Sequence, residues 1–366
     1  MSKKQPFDIK SLSMTQNSRA ADELPMEAVA HYLADNLPGF LQTKQLHVEQ
    51  FSAGASNITY RLSNGSESLI LRRPPSGTKA KSAHDMIREH NVLTQLQSVY
   101  SLSPKPILVC NDKSIIGEDF FLMQEIQGLG IAKELPIELT PQAQYELCEN
   151  FVKSFVELHQ IDITQPNLAS LGKPDGYVER QLKGWHERYN KAKTDDVAGV
   201  DDIAEWLAEN LPMNSGYQSL VHNDFKFDNL IVDKDNPQKI VGVLDWEMTT
   251  LGDPLLDLGC SLAYWVEHFD HQNLQAIRMM PTHLAGMMTR VQVFEYYCQL
   301  REIPICDMRP YYVFGLFRLA AIAQQIYFRF YHGQTDNPKF KNFGQLVNIL
   351  IAHCGKQISA KNSEQN

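Results

Sequence analysis

The sequence predicts an α+β protein of two lobes, a small β-rich lobe followed by a larger, mainly helical one. Three observations carry this reading. From Leu46 to about Gly128 the chain reads as short strands with one helical interlude. From Thr140 onward its apolar residues recur mostly at helical spacing. One strand–loop–strand unit, "LVHNDFKFDNLIV" followed by "KIVGVLDWE", interrupts that helical part. At 366 residues the chain is too long for one simple core and long enough for two lobes. The expected divisions are a flexible segment over 1–22, an N-lobe over 23–128, a C-lobe over 129–355 and a flexible tail over 356–366.

The elements follow in order. "LPMEAVAHYLADNL" reads as a short amphipathic helix. "NITYRL" and "SLILRR" flank Asn64-Gly65, a hairpin signal, and Pro74 and Pro75 stop the second strand. "HDMIREHNVLTQLQ" is a helix. Met86, Glu89, Leu93 and Leu96 fall on one of its stripes, which sets Glu89 in an apolar face. A buried carboxylate needs a cationic partner. Strand alternation places Arg72 with Ile70 on one face of the preceding strand and Arg73 with Leu71 on the other. "KPILVC" and "DFFLMQEI" read as two more strands separated by the polar turn "NDKSIIGE". "TPQAQYELCENFVKSFVELHQ" opens the helical lobe.

Composition excludes several classes. Hydrophobic content of 43% and charge content of 21% are those of an ordinary globular protein. A net charge of −9 without a basic run argues against nucleic acid as partner. Six scattered cysteines form no CxxC pair, so neither a disulfide scaffold nor a zinc site is expected. No run approaches eighteen apolar residues, so no membrane span is expected, and the polar N-terminus does not read as a signal peptide. A reducing cytoplasm fits these features.

The chemistry concentrates in residues 220–257. Phosphoryl transfer needs positioning, a metal ion to neutralise phosphate charge, and a carboxylate near the attacking hydroxyl. Asp224 could accept the hydroxyl proton, and Lys226 could counter charge on the transferred group. Asn229 and Asp245 could offer oxygen to Mg²⁺, which takes few, hard ligands. A solvated hairpin turn is the plain alternative for the loop, and a solvated lysine for Lys226. Upstream, "FSAGASNITYRL" could cover phosphates, with Gly54 permitting close backbone approach and Ser56 and Asn57 donating hydrogen bonds. An ordinary hairpin is the alternative there. Asp253 before Pro254 reads as a helix N-cap.

"HNDFKFDN" resembles the H-x-D-x-x-x-x-N catalytic loop of the aminoglycoside phosphotransferase and choline kinase superfamily, relatives of protein kinases. "VLDWEMTTLGDPLLDLG" resembles its metal-binding strand and following helix. The wording is nearest to the kinase-like domain fused to acyl-CoA dehydrogenases. The resemblance implies a bilobal protein-kinase-like fold and an ATP- and Mg²⁺-dependent kinase of a small hydroxylated molecule. It assigns Asp224 as base, with Lys226 and His222 beside it, His222 as a loop brace rather than a proton carrier. It gives Asn229 and Asp245 to the metal, and Asp257 to bracing the loop backbone. It pairs Arg72 with Glu89 around the α- and β-phosphates, and makes "FFLMQEIQG" the hinge strand, where Met123 guards the pocket and Gln124, Glu125 and Ile126 meet adenine. No A-P-E activation segment follows the metal strand, which argues against a protein kinase. A catalytically silent nucleotide-binding scaffold would lack the base and metal ligands, and these are present.

The acceptor is less legible. "RQLKGWHERY" and the later helices offer Arg180, Arg188, Trp185, Tyr264 and Trp265 as a basic, aromatic wall. Arg318 and Arg329 interrupt an apolar helix, and call for an internal carboxylate or an anionic substrate. No dense acidic cluster suits a polycationic aminoglycoside. The resemblance points to a hydroxyacyl-CoA, with another small-molecule kinase as the alternative and a homodimer as the assembly left open.

Overall fold

The computed structural model describes residues 11–51, 57–75 and 85–360. The chain divides into two compact units, Met1–Gln127 and Gly128–Asn366.

The first unit is built on six strands: β1 (Ser13–Asn17), β2 (Gln45–Gln50), β3 (Ile58–Ser63), β4 (Ser68–Arg73), β5 (Pro106–Cys110) and β6 (Phe120–Gln124), in the order β1-β2-β3-β4-β6-β5. β3 and β4 form the expected antiparallel hairpin, with Ser63 opposite Ser68. Asn64 accepts from the backbone N–H groups of Ser66 and Glu67 at 2.9 and 2.8 Å, and Gly65 takes φ 90°. Helix α1 (Met26–Asn36) lays Val29, Ala30 and Leu33 on Leu46, Val48, Tyr60, Leu62, Leu71 and Leu122. Helix α2 (Met86–Leu96) packs against β5 and β6, burying Met86, Glu89, Val92, Leu93 and Leu96. Its N-cap is Asp85, which accepts from the Arg88 N–H at 2.9 Å.

Two details differ from expectation. The segment expected to be flexible through residue 22 contains β1, which pairs in parallel with β2. "SMTQN" has no strong apolar alternation, so its order comes from the open edge of β2 and from Met14 against the core. The turn after β5 holds a short helix, α3 (Lys113–Ile116), capped by Asp112 and ended at Gly117 with φ 85°.

The second unit starts with β7 (Leu129–Gly130) and continues with α4 (Pro141–His159), α5 (Pro166–Ala169), α6 (Tyr177–Ala192) and α7 (Asp201–Asn210). Then come β8 (Ser219–Val221), β9 (Leu230–Val232), β10 (Ile240–Val243) and β11 (Thr250–Gly252). Helices α8 (Pro254–Leu262), α9 (Gln272–Ala276), α10 (Arg290–Arg301), α11 (Arg309–Tyr331) and α12 (Phe343–Ser359) complete it. Two small antiparallel sheets, β10-β9-β7 and β11-β8, flank the loop after β8. Helix α12 runs to Ser359, so the expected tail from 356 is helical over its first residues. Among the described residues no helix is long and apolar enough to cross a membrane.

Glycine sets one packing distance that matters for the site. A Cβ on Gly259 of α8 would collide with the Tyr311 carbonyl of α11, and one on Gly315 of α11 with the Gly259 carbonyl. The two helices therefore cross backbone against backbone. Asp257 on α8 and Arg318 on α11 are carried to the same loop.

Candidate active site

The loop after β8 alternates, and the alternation is what presents its chemistry. Phe225 and Phe227 are 1% and 0% exposed. Phe225 stacks on Phe155 of α4 at 4.1 Å, and Phe227 packs on Phe151 at 4.7 Å. Two aromatic anchors thus fix the loop to α4. Asp224 and Lys226, interleaved with them, remain only partly covered. The Lys226 ammonium lies 3.1 Å from Asp224 and 3.6 Å from Asp228, and 4.8 Å from the centre of the Tyr264 ring.

The chain before Asp224 is braced by side chains of α6, α8 and α11, with α4 and α10 behind them. Asp257 accepts from the N–H of His222 at 2.7 Å and from that of Asn223 at 2.8 Å. His159 of α4 holds the Asp257 carboxylate at 3.2 Å through Nε2, and its Nδ1 meets the Tyr297 hydroxyl at 2.6 Å. Asn223 sits in the left-handed region at φ 66°. Its carbonyl accepts from Arg318 at 2.6 Å, its side chain accepts from the Tyr177 hydroxyl at 2.7 Å, and its Nδ2 donates to the Met248 carbonyl at 3.0 Å. The contacts from Asp257, Arg318 and Tyr177 end on the two residues before Asp224, and His159 holds Asp257 from behind, so the position of the carboxylate follows from α6, α8 and α11 with α4 in support.

His222 is a brace. Its Nδ1 accepts from the Asp224 N–H at 3.3 Å, which leaves Nε2 to donate to the Leu244 carbonyl at 3.0 Å. Burial pushes this imidazole below its ordinary value, so it is held neutral with both nitrogens engaged. A proton-carrying role does not fit that arrangement.

Asp224 has the electrostatics of an ionised carboxylate. Burial alone would raise its pKa. The charges of Lys226 and Arg318 more than offset that and bring it below the ordinary carboxylate value. Burial likewise opposes the charge on Lys226, and Tyr264, Asp224 and Asp228 reverse the effect and push it up. The loop therefore carries a charged pair at pH 7.

Asn229 and Asp245 are brought side by side by the β9–β10 pairing. Val243 lies opposite Leu230, and the Leu244 N–H donates to the Asn229 carbonyl at 2.8 Å. The Asn229 amide nitrogen donates to the Asp224 backbone carbonyl at 2.8 Å and to its carboxylate at 3.1 Å. That leaves Asn229 Oδ1 as the oxygen for a cation. Asp245 is partly buried and takes φ 67°, a bend that turns the chain directly after β10. An amide oxygen and a carboxylate oxygen are a donor set that suits Mg²⁺, which keeps phosphate and water as its other ligands. Among the described residues no three His, Cys, Asp or Glu gather to hold a metal by themselves.

In the first unit, Arg72 meets Glu89 at 2.7 Å, and both side chains are buried. Arg73 faces the other way and donates to the Tyr60 hydroxyl at 3.1 and 2.9 Å, near Asp22. Asn57 is buried, and Ser56 and Gly54 lie outside the described residues. Met123 is buried and Gln124 is exposed at the end of β6, with Ile126 half-buried just beyond. The Glu125 carboxylate is taken by Arg61 at 3.0 Å and by Ser68, so its side chain belongs to the sheet surface and only its backbone is available to a ligand.

The expected acceptor wall is redistributed. Tyr264 stands beside Lys226, as described. Trp265 is 1% exposed, packs on Phe151 and Phe227 and donates to the Met288 carbonyl. Arg180 is exposed and tied to the carbonyls of Asp175 and Lys173. Arg188 lies over Trp185 at 4.6 Å. Arg318 donates to the Asn223 carbonyl and lies 5.2 Å from the centre of the Trp185 ring, and the carboxylate whose charge it favours is Asp224. Arg329 is exposed. Sequence reasoning missed Phe225 and Phe227, whose signal was their alternation within the polar loop. It also missed His159, Tyr177 and Tyr297.

A six-stranded sheet unit with a buried Arg–Glu pair, joined to a helical unit with a braced Asp–Asn loop and a following aspartate, defines a kinase-like phosphotransferase fold. The chain belongs to the phosphotransferase enzyme family, whose pattern matches residues 47–287. It is 32% identical over 361 residues to acyl-CoA dehydrogenase family member 11 of Homo sapiens, covering 95% of this chain and 45% of that protein. It is 33% identical over 341 residues to acyl-CoA dehydrogenase family member 10 of Mus musculus, covering 92% of this chain and 31% of that protein. The chain thus spans less than half the length of these relatives. Among solved structures, a Ralstonia eutropha protein classed with the aminoglycoside phosphotransferases matches with a TM-score of 0.76 at 26% identity, over 92% of this chain and 98% of that one. Choline kinase from Cryptosporidium parvum shares the fold, with a TM-score of 0.63 at 13% identity over 91% and 95% of the two chains.

Proposed function

We propose that the chain transfers the γ-phosphoryl group of ATP to a hydroxyl of a small molecule, and that this acceptor is a hydroxyacyl thioester of coenzyme A. The observation that carries the reading is the held, ionised Asp224, with Lys226 at 3.1 Å and Asn229 at 3.1 Å. An acceptor hydroxyl hydrogen-bonded to this carboxylate attacks the γ-phosphorus. The bond from that phosphorus to the bridging oxygen breaks, ADP departs, and the hydroxyl proton goes to Asp224. Lys226 offsets charge on the moving group. Arg72, oriented by Glu89, addresses the nucleotide phosphates. Mg²⁺, held by Asn229 and Asp245, would supply neutralisation of phosphate charge.

Support for the acceptor class comes from two sides. Relatives that share most of this chain's length bear the name acyl-CoA dehydrogenase, which suggests substrates drawn from the acyl-CoA pool. The neighbourhood of Asp224 is aromatic and basic, with Tyr264, Lys226 and Arg318, and suits a partly apolar anion better than a polycation. The test is ADP release from Mg-ATP across hydroxyacyl-CoAs, kanamycin, choline and sugars. Stimulation by a hydroxyacyl-CoA alone supports the reading. Phosphorylation of kanamycin with none of any acyl-CoA would overturn the acceptor and keep the kinase.

A further inference from the structure

Two residues of α10 take hold of one histidine of α4. The Tyr297 hydroxyl lies 2.6 Å from His159 Nδ1, and Arg301, one turn further along α10, donates to the His159 carbonyl at 2.7 Å. The Ser219 hydroxyl of β8 donates to the same carbonyl at 2.8 Å. The imidazole is fully buried, and the Phe155 ring lies 4.3 Å from its centre. On its far side Nε2 meets Asp257 Oδ2 at 3.2 Å.

The count of donors fixes what each nitrogen does. Asp257 Oδ2 accepts from the His222 N–H and Oδ1 from the Asn223 N–H, so toward His159 the carboxylate is again an acceptor and Nε2 supplies the proton. Burial outweighs the neighbouring carboxylate and holds the imidazole below its ordinary value. A neutral ring has one N–H, so Nδ1 accepts and the Tyr297 hydroxyl is its donor. A ring turned over would present carbon atoms to both partners. Tyr297 therefore decides which edge of the imidazole Asp257 meets, and Asp257 in turn holds the backbone of the two residues before Asp224.

We propose that α10 positions the base: Tyr297 orients the His159 ring, Arg301 holds the His159 backbone, and through Asp257 the two set where the Asp224 carboxylate stands. Tyr297 and Arg301 are positioning residues that touch neither nucleotide nor acceptor. Their part in transfer rests on the phosphotransfer reading above, whereas their hold on the loop is a property of the fold alone.

The experiment reads the loop first and turnover second. Amide hydrogen exchange is measured on the full chain and resolved at His222 and Asn223. Tyr297→Phe keeps the ring and removes the hydroxyl. Both amides should then exchange about tenfold faster than in the wild type. The kcat for ADP release should fall about fivefold while the KM for ATP stays unchanged. Tyr312→Phe is the matched control, since it removes a tyrosine hydroxyl that meets a different histidine, His353, at 3.1 Å. It should leave the exchange and the kcat at their wild-type values. Tyr297 acts only through His159, so Tyr297→Phe should add nothing in a His159→Gln background. Arg301→Lys, at the half-buried end of α10, loosens His159 from its backbone and should speed the same amides about threefold, which keeps the proposal open to test where Tyr297→Phe does not fold. Unchanged exchange in Tyr297→Phe, or in Arg301→Lys where it stands alone, would overturn the proposal, as would an equal change in Tyr312→Phe or additive effects with His159→Gln. The two readings fail separately. Faster exchange without phosphorylation of any acceptor discards the kinase and keeps the hold of α10 on the loop. Turnover with wild-type exchange in both α10 variants does the reverse.

Discussion

In the sheet unit, Arg72 meets Glu89 at 2.7 Å because a strand and a helix each hold one side chain in a fixed direction. In the helical unit, Lys226 meets Asp224 at 3.1 Å within an irregular loop, where Asn223 is in the left-handed region. Regular geometry makes the first pair, and its local neighbourhood is sheet and helix core. The second is held by partners from α6, α8 and α11 that converge on His222 and Asn223, with α4 supporting the α8 carboxylate. A pair set by repeating elements serves mainly to keep one guanidinium in place. A pair set by convergent bracing keeps a carboxylate in place while leaving it partly open. Substitutions should separate the two, with stability at stake in the sheet unit and rate in the helical one.

The largest expected effect is on rate. Asp224→Asn should lower kcat by about a thousandfold, the range of a lost general base, while ADP binding measured by calorimetry stays near the wild-type value. Asp245→Asn should act on nucleotide instead and weaken binding of Mg-ATP. Equal loss of nucleotide affinity in both variants would show that the division between base and metal ligand is wrong.

The placement of Asn229 close to Asp224 and of Asp245 after the next strand was legible because both motifs are short and local. The same holds for the hairpin at Asn64-Gly65 and for Glu89 within the α2 stripe, where a period of 2 or 3.6 decides which way a side chain points. Legibility ended where contacts are long-range. His159 and Asp257 lie 98 positions apart, and Arg318 and Asn223 lie 95 apart. No spacing rule connects them. Two isolated features of the sequence, a buried-looking arginine in α11 and a histidine closing α4, are explained only once α8 and α11 cross at Gly259 and Gly315. The polar strand β1 was invisible for a related reason, since a neighbour's edge supplies its order.

The middle effect tests the sheet unit. Glu89→Ala removes a buried carboxylate that lies 2.7 Å from a buried guanidinium. Breaking such a pair from one side should lower the free energy of unfolding by about 3 kcal/mol, read as a shift in urea midpoint. Glu89→Gln keeps the shape and should raise the KM for ATP more than the KM for the acceptor. If the acceptor KM moves instead, the pair does not serve the nucleotide and the comparison drawn above collapses.

The smallest effect is on pH dependence, and it concerns Arg318. Its guanidinium is 4% exposed, donates to the Asn223 carbonyl at 2.6 Å, and is one of the charges that hold the Asp224 carboxyl below its ordinary value of 3.8 against the opposing effect of burial. A base works only when ionised, so activity falls as pH drops through the folded-state value of Asp224. Arg318→Met removes a lowering influence and leaves burial in place, which moves that value up. The acid limb of kcat/KM should therefore shift to higher pH, read from the full pH profile of the variant beside the wild type. The stability term has the same sign. A depressed carboxylate contributes stability above its unfolded value and loses it as pH falls through the folded value, so this contribution shrinks in Arg318→Met. Arg318→Lys separates charge from geometry. It keeps the cation, and the acid limb with it, but lacks the planar fork that reaches Asn223 and lies over Trp185. It should lower kcat by about threefold without moving the limb. A limb that stays put in Arg318→Met would show that Lys226 alone sets the charge of the base, and that Arg318 acts on the loop only through the Asn223 carbonyl.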